Sequence, residues 1–304
     1  MRAKWDIQQP GESELEETVR VMAAGRARGA IAEARAATLR RYLDAQGADS
    51  VRLWRAKGRR GIVAAAAVCE NPGRTGMLVH SPADSAGVKV DALSAVCAVA
   101  ADDAIQRGMS LVQSLELPED EDDADALTNA GFRQLAELVY MRVATADVSE
   151  TTRGELAWRS YGRFDEQELA RVIAATYENS LDCPAISGLR DIEDVIAGHK
   201  AGGIFTPETW WIVDHHGEPA GCVLVNDATS PSVSEVVYLG VVPAHRGAGL
   251  GEALVRHACA AARRRGRATL TLAVDAANTP AVRAYERAGF RRTQRRISYI
   301  KTAR

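Results

Sequence analysis

One stretch of the chain combines a strand end, a glycine-rich turn and a helix start: Val241-Val242-Pro243-Ala244-His245-Arg246-Gly247-Ala248-Gly249-Leu250-Gly251. A β-like run precedes it at residues 234–242, and a helix-like run follows at residues 252–265. A helix N-terminus presents backbone N–H groups without partners and a partial positive charge. Glycines lack Cβ, so the backbone can approach a ligand closely. The stretch therefore predicts a site for a phosphate or pyrophosphate group.

Three glycine-rich patterns hold phosphate groups, and the residues around Gly251 separate them. A P-loop requires Lys followed by Ser or Thr after its last glycine, but Glu252 and Ala253 stand there. The dinucleotide fingerprint requires the spacing G-x-G-x-x-G, whereas this stretch has G-x-G-x-G. The pattern that remains is Arg-x-x-Gly-x-Gly, formed by Arg246, Gly249 and Gly251.

A second motif follows one helix and one strand later. After an apolar run at residues 269–274 it reads Asn278-x-x-Ala281-x-x-x-Tyr285-x-x-x-Gly289-Phe290. The two motifs in this order resemble those of the GNAT N-acetyltransferase superfamily. The resemblance implies a mixed α/β domain, acetyl-CoA as co-substrate and no metal ion.

The same resemblance implies which residues bind acetyl-CoA. The strand before the turn should offer main-chain groups to the pantetheine amides, and the turn and helix start should hold the pyrophosphate. The implied cofactor-binding residues are Leu239, Val241, Val242, Arg246, Gly247, Ala248, Gly249, Leu250, Gly251 and Asn278.

Acetyl transfer to an amine requires a base and profits from an acid. An alkylamine has a pKa of about 10 and is mostly protonated at neutral pH. Glu235 is the candidate base, because strand alternation gives it the same face as Val237 and Leu239, where apolar neighbours would raise its pKa. The alternative is a solvated glutamate at a strand end. Tyr285 is the candidate acid for the thiolate, by its position in the family motif; the alternative is a packed aromatic.

The loop at residues 177–187 is the expected wall of the acceptor site, since GNAT domains vary their specificity there. Within it, Asp182 is a candidate for holding a cationic amine, and Cys183 is a second substrate-binding candidate. Cys183 as a nucleophile is disfavoured because no His or Asp stands at a supporting spacing.

The chain also repeats itself at an offset of 158 residues, as Ala130-Gly131-Phe132-Arg133 and Ala288-Gly289-Phe290-Arg291 show. The helix-like run at residues 90–107 falls on residues 248–265 at the same offset. The predicted fold class is therefore α/β with two tandem GNAT-like domains, each a mixed, mostly antiparallel twisted sheet flanked by helices. We expect a degenerate, non-catalytic domain at residues 1–150 and a catalytic domain at residues 151–304.

The first repeat lacks the glycines of the second. Val88, Asp91 and Leu93 stand where the second repeat has Arg246, Gly249 and Gly251. An aspartate beside a pyrophosphate is electrostatically unfavourable. We therefore expect acetyl-CoA to bind to the C-terminal repeat and poorly, if at all, to the N-terminal one.

The N-terminal half begins with a long helical pattern at residues 14–46. Ser13 and Glu16 fit a capping box at its start, and Gly47 fits a C-terminal cap. One continuous helix is predicted there.

Bulk composition narrows the partners. The formal net charge of −2 gives no reason to expect a nucleic acid, and no apolar run approaches a membrane span. The five cysteines are scattered, without a C-x-x-C pair, so neither a zinc site nor a disulfide framework is expected. A reducing, cytoplasmic setting is the expectation, with a monomer or a homodimer as the assembly.

The predicted function is acetyl-CoA-dependent acetylation of a primary amine on a small molecule. The tandem arrangement with the active repeat last, and the wording of residues 235–243, resemble the mycothiol synthase group of the superfamily. Two alternatives stay open: acetylation of a protein or peptide, and a non-catalytic acyl-CoA-binding regulatory module.

Overall fold

A computed structural model describes residues 4–25, 27–59, 61–85, 87–149 and 155–303. The chain forms two compact units. Unit 1 comprises Met1–Leu135 and Ile297–Arg304, and unit 2 comprises Ala136–Arg296. Among the described residues, no helix is both long enough and apolar enough to cross a membrane.

Unit 1 is a sheet with helices. Its elements are β1 (Asp6–Gln8), α1 (Glu12–Ala24), α2 (Ala30–Gln46), β2 (Val51–Gly58), β3 (Gly61–Asn71), β4 (Thr75–His80), α3 (Val90–Gln106), β5 (Leu111–Glu116), α4 (Glu121–Asn129) and the last part of β12 (Arg291–Thr302). The strand order is β1-β2-β3-β4-β5-β12. Neighbouring strands are antiparallel except for β4 and β5, which are parallel.

Unit 2 has the same plan. Its elements are most of β6 (Arg133–Ala144), β7 (Leu156–Ser160), α5 (Glu166–Tyr177), α6 (Ile192–Ala201), β8 (Trp210–His215), β9 (Glu218–Asp227), β10 (Val233–Val241), α7 (Leu250–Arg264), β11 (Thr269–Asp275) and α8 (Thr279–Arg287). The strand order is β6-β11-β10-β9-β8-β7, and β10 and β11 are the parallel pair.

The repeat appears in the structure element by element. β4, α3, β5, α4 and β6 are followed 158 residues later by β10, α7, β11, α8 and β12, with boundaries that agree within a few residues. The last strand of each repeat, however, pairs in the other unit: residues 138–144 of β6 pair with β11, and residues 297–302 of β12 pair with β5. The boundary at residue 150 divides the repeats, and as a division between domains it remains a prediction.

The single helix predicted at residues 14–46 is wrong. The structure has two helices, α1 and α2, separated by Gly25 and Gly29, both with positive φ. These left-handed backbone positions interrupt the helix although the residues around them are good helix formers. The N-cap of α1 is Gly11, so the capping box predicted at Ser13 is also wrong.

Two apolar clusters cover the two faces of the unit 2 sheet. On one face, Leu250, Leu254 and Ala258 recur along α7 at every fourth position and pack with residues of β9, β10 and β11. On the other face, Leu169 and Ile173 of α5 pack with β8 and β9. The ends of β10 and β11 between these layers define the site described next.

Candidate active site

The candidate site lies where two parallel strands separate. β10 and β11 are paired from Val233 and Thr269 up to Val236 and Leu272, and the pairing stops there although both strands continue. A cavity of about 580 Å³ opens beside the unpaired stretch. The β10 backbone from Val237 to Val241 therefore has a strand partner on the β9 side alone.

A β-bulge at Val237 changes which side chains share a face. The register of β10 against β9 shifts between Val236 and Tyr238. Val237 packs with the α5 cluster, whereas Leu239 packs with the α7 cluster. The expectation that Glu235, Val237 and Leu239 share one face is therefore wrong, because the inserted residue reverses the alternation beyond it.

Two glycines allow α5 and β9 to approach this part of β10. A Cβ on Gly240 would lie 2.5 Å from the Thr176 hydroxyl oxygen, and a Cβ on Gly221 would lie 2.4 Å from the Gly240 carbonyl oxygen. The Thr176 hydroxyl lies 2.5 Å from the Tyr238 hydroxyl and donates to the Ile173 carbonyl at 2.6 Å. Because the Thr176 proton is used there, Tyr238 donates to Thr176, and this bond fixes α5 against β10.

The glycine cradle follows β10 and leads into α7. Gly247 and Gly249 have positive φ, and Gly249 is the N-cap of α7, with no side-chain cap. The first bond of the helix runs from the Ala253 N–H to the Gly249 carbonyl, so the N–H groups before it have no carbonyl within the helix. An added Cβ on Gly247, Gly249 or Gly251 would meet nothing within 4 Å. The cradle thus has open space beside the backbone N–H donors at the start of α7, and such a site fits a pyrophosphate.

Arg246 connects the cradle to α5. Its guanidinium donates to the carbonyls of Val241, Thr176 and Asn179 at 2.9 to 3.0 Å. Two of these carbonyls belong to the C-terminal turn of α5 and the residues after it, where a cation is stabilising. Arg246 therefore ties the acceptor loop to the cradle, and its remaining N–H groups are the ones that can face a phosphate.

Most of the predicted cofactor-binding residues line the cavity. These are Leu239, Val241, Arg246, Gly247, Gly249, Leu250, Gly251 and Asn278. Val242 and Ala248 lie outside its wall. The Val242 N–H donates to the Ala220 carbonyl at 2.9 Å, which uses that group on the β9 side.

Tyr285 and Asn278 enter the cavity from α8. Tyr285 is 7% exposed and lines the cavity. Burial raises its pKa above the usual value, and the nearby charge of Asp182 adds to the effect. Asn278 is the N-cap of α8 and accepts a hydrogen bond from the Ala281 N–H at 3.4 Å. The predicted acid is thus protonated and open to the cavity.

Glu235 stands before the bulge, on the paired part of β10 opposite Asn226 and Thr271. Its side chain is exposed and lies outside the cavity wall. The surrounding strands still remove enough water from the carboxyl group to raise its pKa.

Asp182 and Cys183 lie at the end of the cavity formed by β11 and α8. Asp182 lines the cavity, and Cys183 lies just outside it. Burial raises the pKa of the Cys183 thiol to about 12, with the charges of Asp182 and Asp275 adding to it. A thiol that stays protonated is a poor nucleophile, which agrees with the sequence-based expectation.

Several residues in the wall, or in contact with it, were not predicted from the sequence. Thr176 and Tyr238 connect α5 to β10, and Asp275 at the end of β11 pairs with the acceptor loop. Glu252 in the first turn of α7 is ion-paired with Arg256 and Arg287; burial alone would raise its pKa, but the bonds to Arg287 and Arg256 together outweigh burial and lower it. The i,i+4 spacing of Glu252 and Arg256 on a helix could have predicted their ion pair from the sequence. The other contacts join segments that are distant in sequence.

The described residues contain no group of three or more His, Cys, Asp or Glu side chains placed to hold a metal ion. The N–H groups at the start of α7 attract an anion, and the Asp182 carboxylate lies in the same cavity wall, hydrogen-bonded to the Asp275 N–H behind it.

Comparisons with known proteins agree with this geometry. Residues 169–290 match the model of the acetyltransferase (GNAT) family. A streptothricin acetyltransferase of Streptomyces lavendulae is 37% identical over 103 residues, covering 34% of this chain and 52% of that protein. A mycothiol acetyltransferase of Streptomyces griseus subsp. griseus is 30% identical over 160 residues, covering 51% of this chain and 46% of that protein. The chain thus matches about half the length of each of these curated relatives.

Two solved structures resemble the whole chain. A GCN5-related N-acetyltransferase from Sphaerobacter thermophilus has 18% identity and a TM-score of 0.60, covering 99% of this chain and 96% of that one. A tandem GNAT protein from the clavulanic acid biosynthesis pathway has 14% identity and a TM-score of 0.54, covering 98% of both chains. At these identities the similarity concerns the fold, and it confirms the predicted fold class.

Proposed function

We propose that this chain, whose residues 169–290 match the GNAT acetyltransferase family, transfers the acetyl group of acetyl-CoA to a primary amine of a small molecule. The observation that carries the proposal is the cavity between the diverging β10 and β11. The glycines and the helix N–H groups at the start of α7 form an anion site in this cavity, and Tyr285 lies in the cavity wall. Such a cavity suits a long thioester whose phosphates and reactive carbon must be held apart.

In the proposed reaction, the amine nitrogen bonds to the thioester carbonyl carbon and the carbon–sulfur bond breaks. Glu235 takes the amine proton through water, because its carboxyl lies beside the cavity rather than in its wall. Tyr285, which lines the cavity, gives a proton to the departing thiolate; burial raises its pKa, so the hydroxyl carries that proton at neutral pH. The unpaired backbone of β10 supplies donors for the oxyanion.

A small acceptor is supported by the loop that closes one side of the cavity. Arg246 holds the carbonyl of Asn179, and Asp275 accepts from the Cys183 N–H at 3.1 Å, so the intervening residues are fixed at both ends. The similar proteins are named for small molecules, streptothricin and mycothiol. These two names therefore suggest acceptors for the assay, which should also include other amine metabolites.

The test is release of the CoA thiol from acetyl-CoA in the presence of a panel of primary amines. Glu235→Gln should lower kcat by about 100-fold, because the variant has no positioned base to accept the proton of the amine. In the wild-type chain, kcat/KM should fall as the pH drops through the raised pKa of Glu235, and this acid limb should disappear in the variant. Glu218→Gln, an exposed glutamate on β9, is the matched control.

Tyr285→Phe should lower kcat by about tenfold to 100-fold without weakening acetyl-CoA binding, because it removes a proton donor and little packing. Unchanged turnover in Glu235→Gln and Tyr285→Phe would remove both residues from the mechanism. Acetyl-CoA binding without transfer to any amine would instead favour a non-catalytic acyl-CoA-binding module.

A further inference from the structure

Two histidine side chains meet beside the glycine cradle. His215 is the last residue of β8, and His245 ends the short turn between β10 and the cradle. Because Gly221 of β9 pairs with Val241 at the end of β10, the turn of the β8–β9 hairpin extends past the end of β10. It brings His215 Nδ1 to 3.2 Å from His245 Nδ1. His245 is half-buried and lines the cavity, so one ring of the pair stands in the wall of the anion site.

The contact between the two Nδ1 atoms limits how the pair is protonated. It is a hydrogen bond when one ring carries a proton at Nδ1 and the other does not. One further proton at Nε2 of the donating ring turns that ring into an imidazolium and leaves the bond in place. A second would set two N–H groups and two like charges against each other. The pair is therefore able to gain one positive charge, while His215 keeps the orientation of His245 fixed.

The other basic side chains of the cavity wall are already engaged. Within the described residues these are Arg246 and Arg287. Arg287 is ion-paired with Glu252, which lines the same wall. Arg246 uses N–H groups on three backbone carbonyls. Acetyl-CoA brings a pyrophosphate and a 3′-phosphate, so a proton gained by His245 would add positive charge where the wall has little to spare.

The neighbouring charged groups outside the cavity wall do not replace this charge. They are Glu155, Glu178, Asp214, His216 and Glu218. Asp214 is compensated by Arg159, which donates to both carboxylate oxygens at 2.7 and 2.8 Å. His216 is exposed, and its ring centroid lies 4.0 Å from that of His215. The three glutamates are exposed, and salt screens their charges. His245 is thus the titratable group of this cluster that a ligand in the cavity contacts.

We propose that the His215–His245 pair takes up a proton when acetyl-CoA binds, and that His245 Nε2 then donates to a phosphate oxygen while His215 acts as a positioning residue. The proposal rests on the function proposed above, because it concerns the co-substrate half of the same site. One proton moves from the solvent to the pair, and no other covalent bond forms or breaks. The phosphate stabilises the charged ring, so binding is strongest in acidic solution. The gain is lost as the pH rises above the range in which imidazole titrates.

Calorimetric titration of acetyl-CoA into the full chain measures this proton directly. Repeating the titration at pH 7 in buffers of different ionisation enthalpy gives the number of protons taken up per ligand. The phosphate monoester of acetyl-CoA itself titrates at about pH 6, but it does so with every variant. The comparison is therefore between variants. The wild-type chain should take up about half a proton more than His245→Gln at pH 7. From pH 6 to pH 8 its affinity should fall about fivefold relative to that variant.

Two further variants separate the roles of the two rings. His245→Arg carries a permanent charge, so it should lack the extra proton uptake and bind at pH 8 at least as tightly as the wild-type chain does at pH 6. His215→Ala should keep the uptake but weaken binding by about threefold at pH 6, because His245 loses the bond that orients it. His216→Asn is the matched control. It removes an imidazole from the same turn at a positive φ that suits asparagine, and it should behave as the wild-type chain does.

Acetyl-dephospho-CoA, which lacks the 3′-phosphate, distinguishes the two sources of phosphate oxygen. With this probe the difference in uptake between the wild-type chain and His245→Gln persists if His245 meets the pyrophosphate. It disappears if His245 meets the 3′-phosphate. Either result, together with the uptake seen for acetyl-CoA, supports the proposal and assigns the phosphate.

Equal proton uptake by the wild-type chain and His245→Gln overturns the proposal. So does an uptake that His216→Asn abolishes or that His245→Arg retains. Unchanged affinity in His215→Ala overturns the part assigned to His215. Each of these results is obtained with bound acetyl-CoA and leaves the proposed function standing, whereas an absence of acetyl-CoA binding at every pH overturns both.

Discussion

The gap between β4 and β5 in unit 1 and the gap between β10 and β11 in unit 2 are equivalent by the repeat, and their contents are opposite. In unit 1 the parallel pairing stops at Met77 and Gln113, and His80 Nε2 then lies 3.2 Å from Glu116 Oε1 across the gap. At the same offset, unit 2 has Tyr238 and Val274, which cannot form this bond. Tyr238 turns instead to Thr176, and a cavity opens.

The difference shows how one fold carries either a side-chain bridge or an open cavity at the same place. The His80–Glu116 pair is buried, with Ser114 donating to Glu116 and Asp123 Oδ1 3.9 Å from His80 Nδ1. In both units the parallel pairing of these two strands ends after a few residues, so the gap between the strands is a feature of the shared backbone fold. Which side chains meet across it decides whether the gap is bridged or open.

The largest expected effect concerns the folding of unit 2 in isolation, which would allow the open gap to be studied alone. A fragment of residues 151–304 lacks β6, which pairs with β11 over seven positions and contributes Val139, Met141 and Val143 to the core. Burial of three such side chains is worth about 5 to 9 kcal/mol, comparable to the stability of a domain. We expect this fragment not to unfold cooperatively in a thermal melt.

A fragment of residues 136–296 is the matched comparison, because it keeps β6 and omits the residues that belong to unit 1. It should melt cooperatively and bind acetyl-CoA. Cooperative melting of the 151–304 fragment as well would show that unit 2 folds without β6.

The next effect tests the cradle by giving it the residue of unit 1. Gly251→Leu installs the residue found at the equivalent Leu93. The added Cβ meets nothing within 4 Å, so the fold should persist, but the side chain covers the N–H groups at the start of α7. We expect the affinity for acetyl-CoA, measured by calorimetry, to fall by about 1000-fold, or about 4 kcal/mol.

Gly11→Leu is the control for that variant, because Gly11 also lies at the start of a helix, as the N-cap of α1, and has open space around it. It should bind acetyl-CoA as the wild-type chain does. Retained affinity in Gly251→Leu would place the pyrophosphate elsewhere and weaken the contrast between the units.

The smallest effect concerns the bridged gap in unit 1. Burial opposes the charged form of His80, but the bond to Glu116 and its charge outweigh burial and raise the pKa of His80 to about 9. A pKa raised on folding adds stability that is complete below the unfolded pKa of about 6.5 and is lost as the pH rises through 9. The contribution is about 3 kcal/mol at most.

His80→Gln should therefore abolish the part of the stability that declines between pH 6.5 and 9, as followed by hydrogen exchange of the β4 amides. His216→Gln, at an exposed turn of unit 2, should leave that decline unchanged. If β4 in the wild-type chain is equally protected at both ends of this pH range, the bridge is not an ion pair.

Much of the fold followed from local sequence. The helix predicted at residues 90–107 and the strand at residues 234–242 agree with α3 and β10 to within a residue, because each has a regular apolar pattern and a glycine or proline that ends it. The cradle was equally local, since Gly247 and Gly249 adopt positive φ within a few residues of their helix. The prediction of one long helix at residues 14–46 was wrong because the sequence on both sides of Gly25 and Gly29 has a helical pattern. Apolar periodicity does not show where the chain changes direction between two helices.

The site residues divide along the same line. Asn278, Tyr285 and the cradle were predicted because the motif holds them in short, ordered spacings. Asp275 was missed, since its importance comes from its contact with Asp182, 93 residues away in sequence. The bulge at Val237 was missed as well, because a single inserted residue leaves no mark on an apolar strand, yet it removed Glu235 from the face of Leu239.

The sequence by itself determined that this chain carries two copies of one α/β fold and a single glycine cradle, because helix, strand and turn propensities act over a few residues. The tertiary structure decided what lies across each gap: a buried ion pair in unit 1, and in unit 2 a cavity whose wall includes the glycine cradle and Tyr285. It also decided that the last strand of each repeat completes the other unit. Strand pairing and charge compensation join residues far apart in sequence, and such contacts exist only in the folded chain.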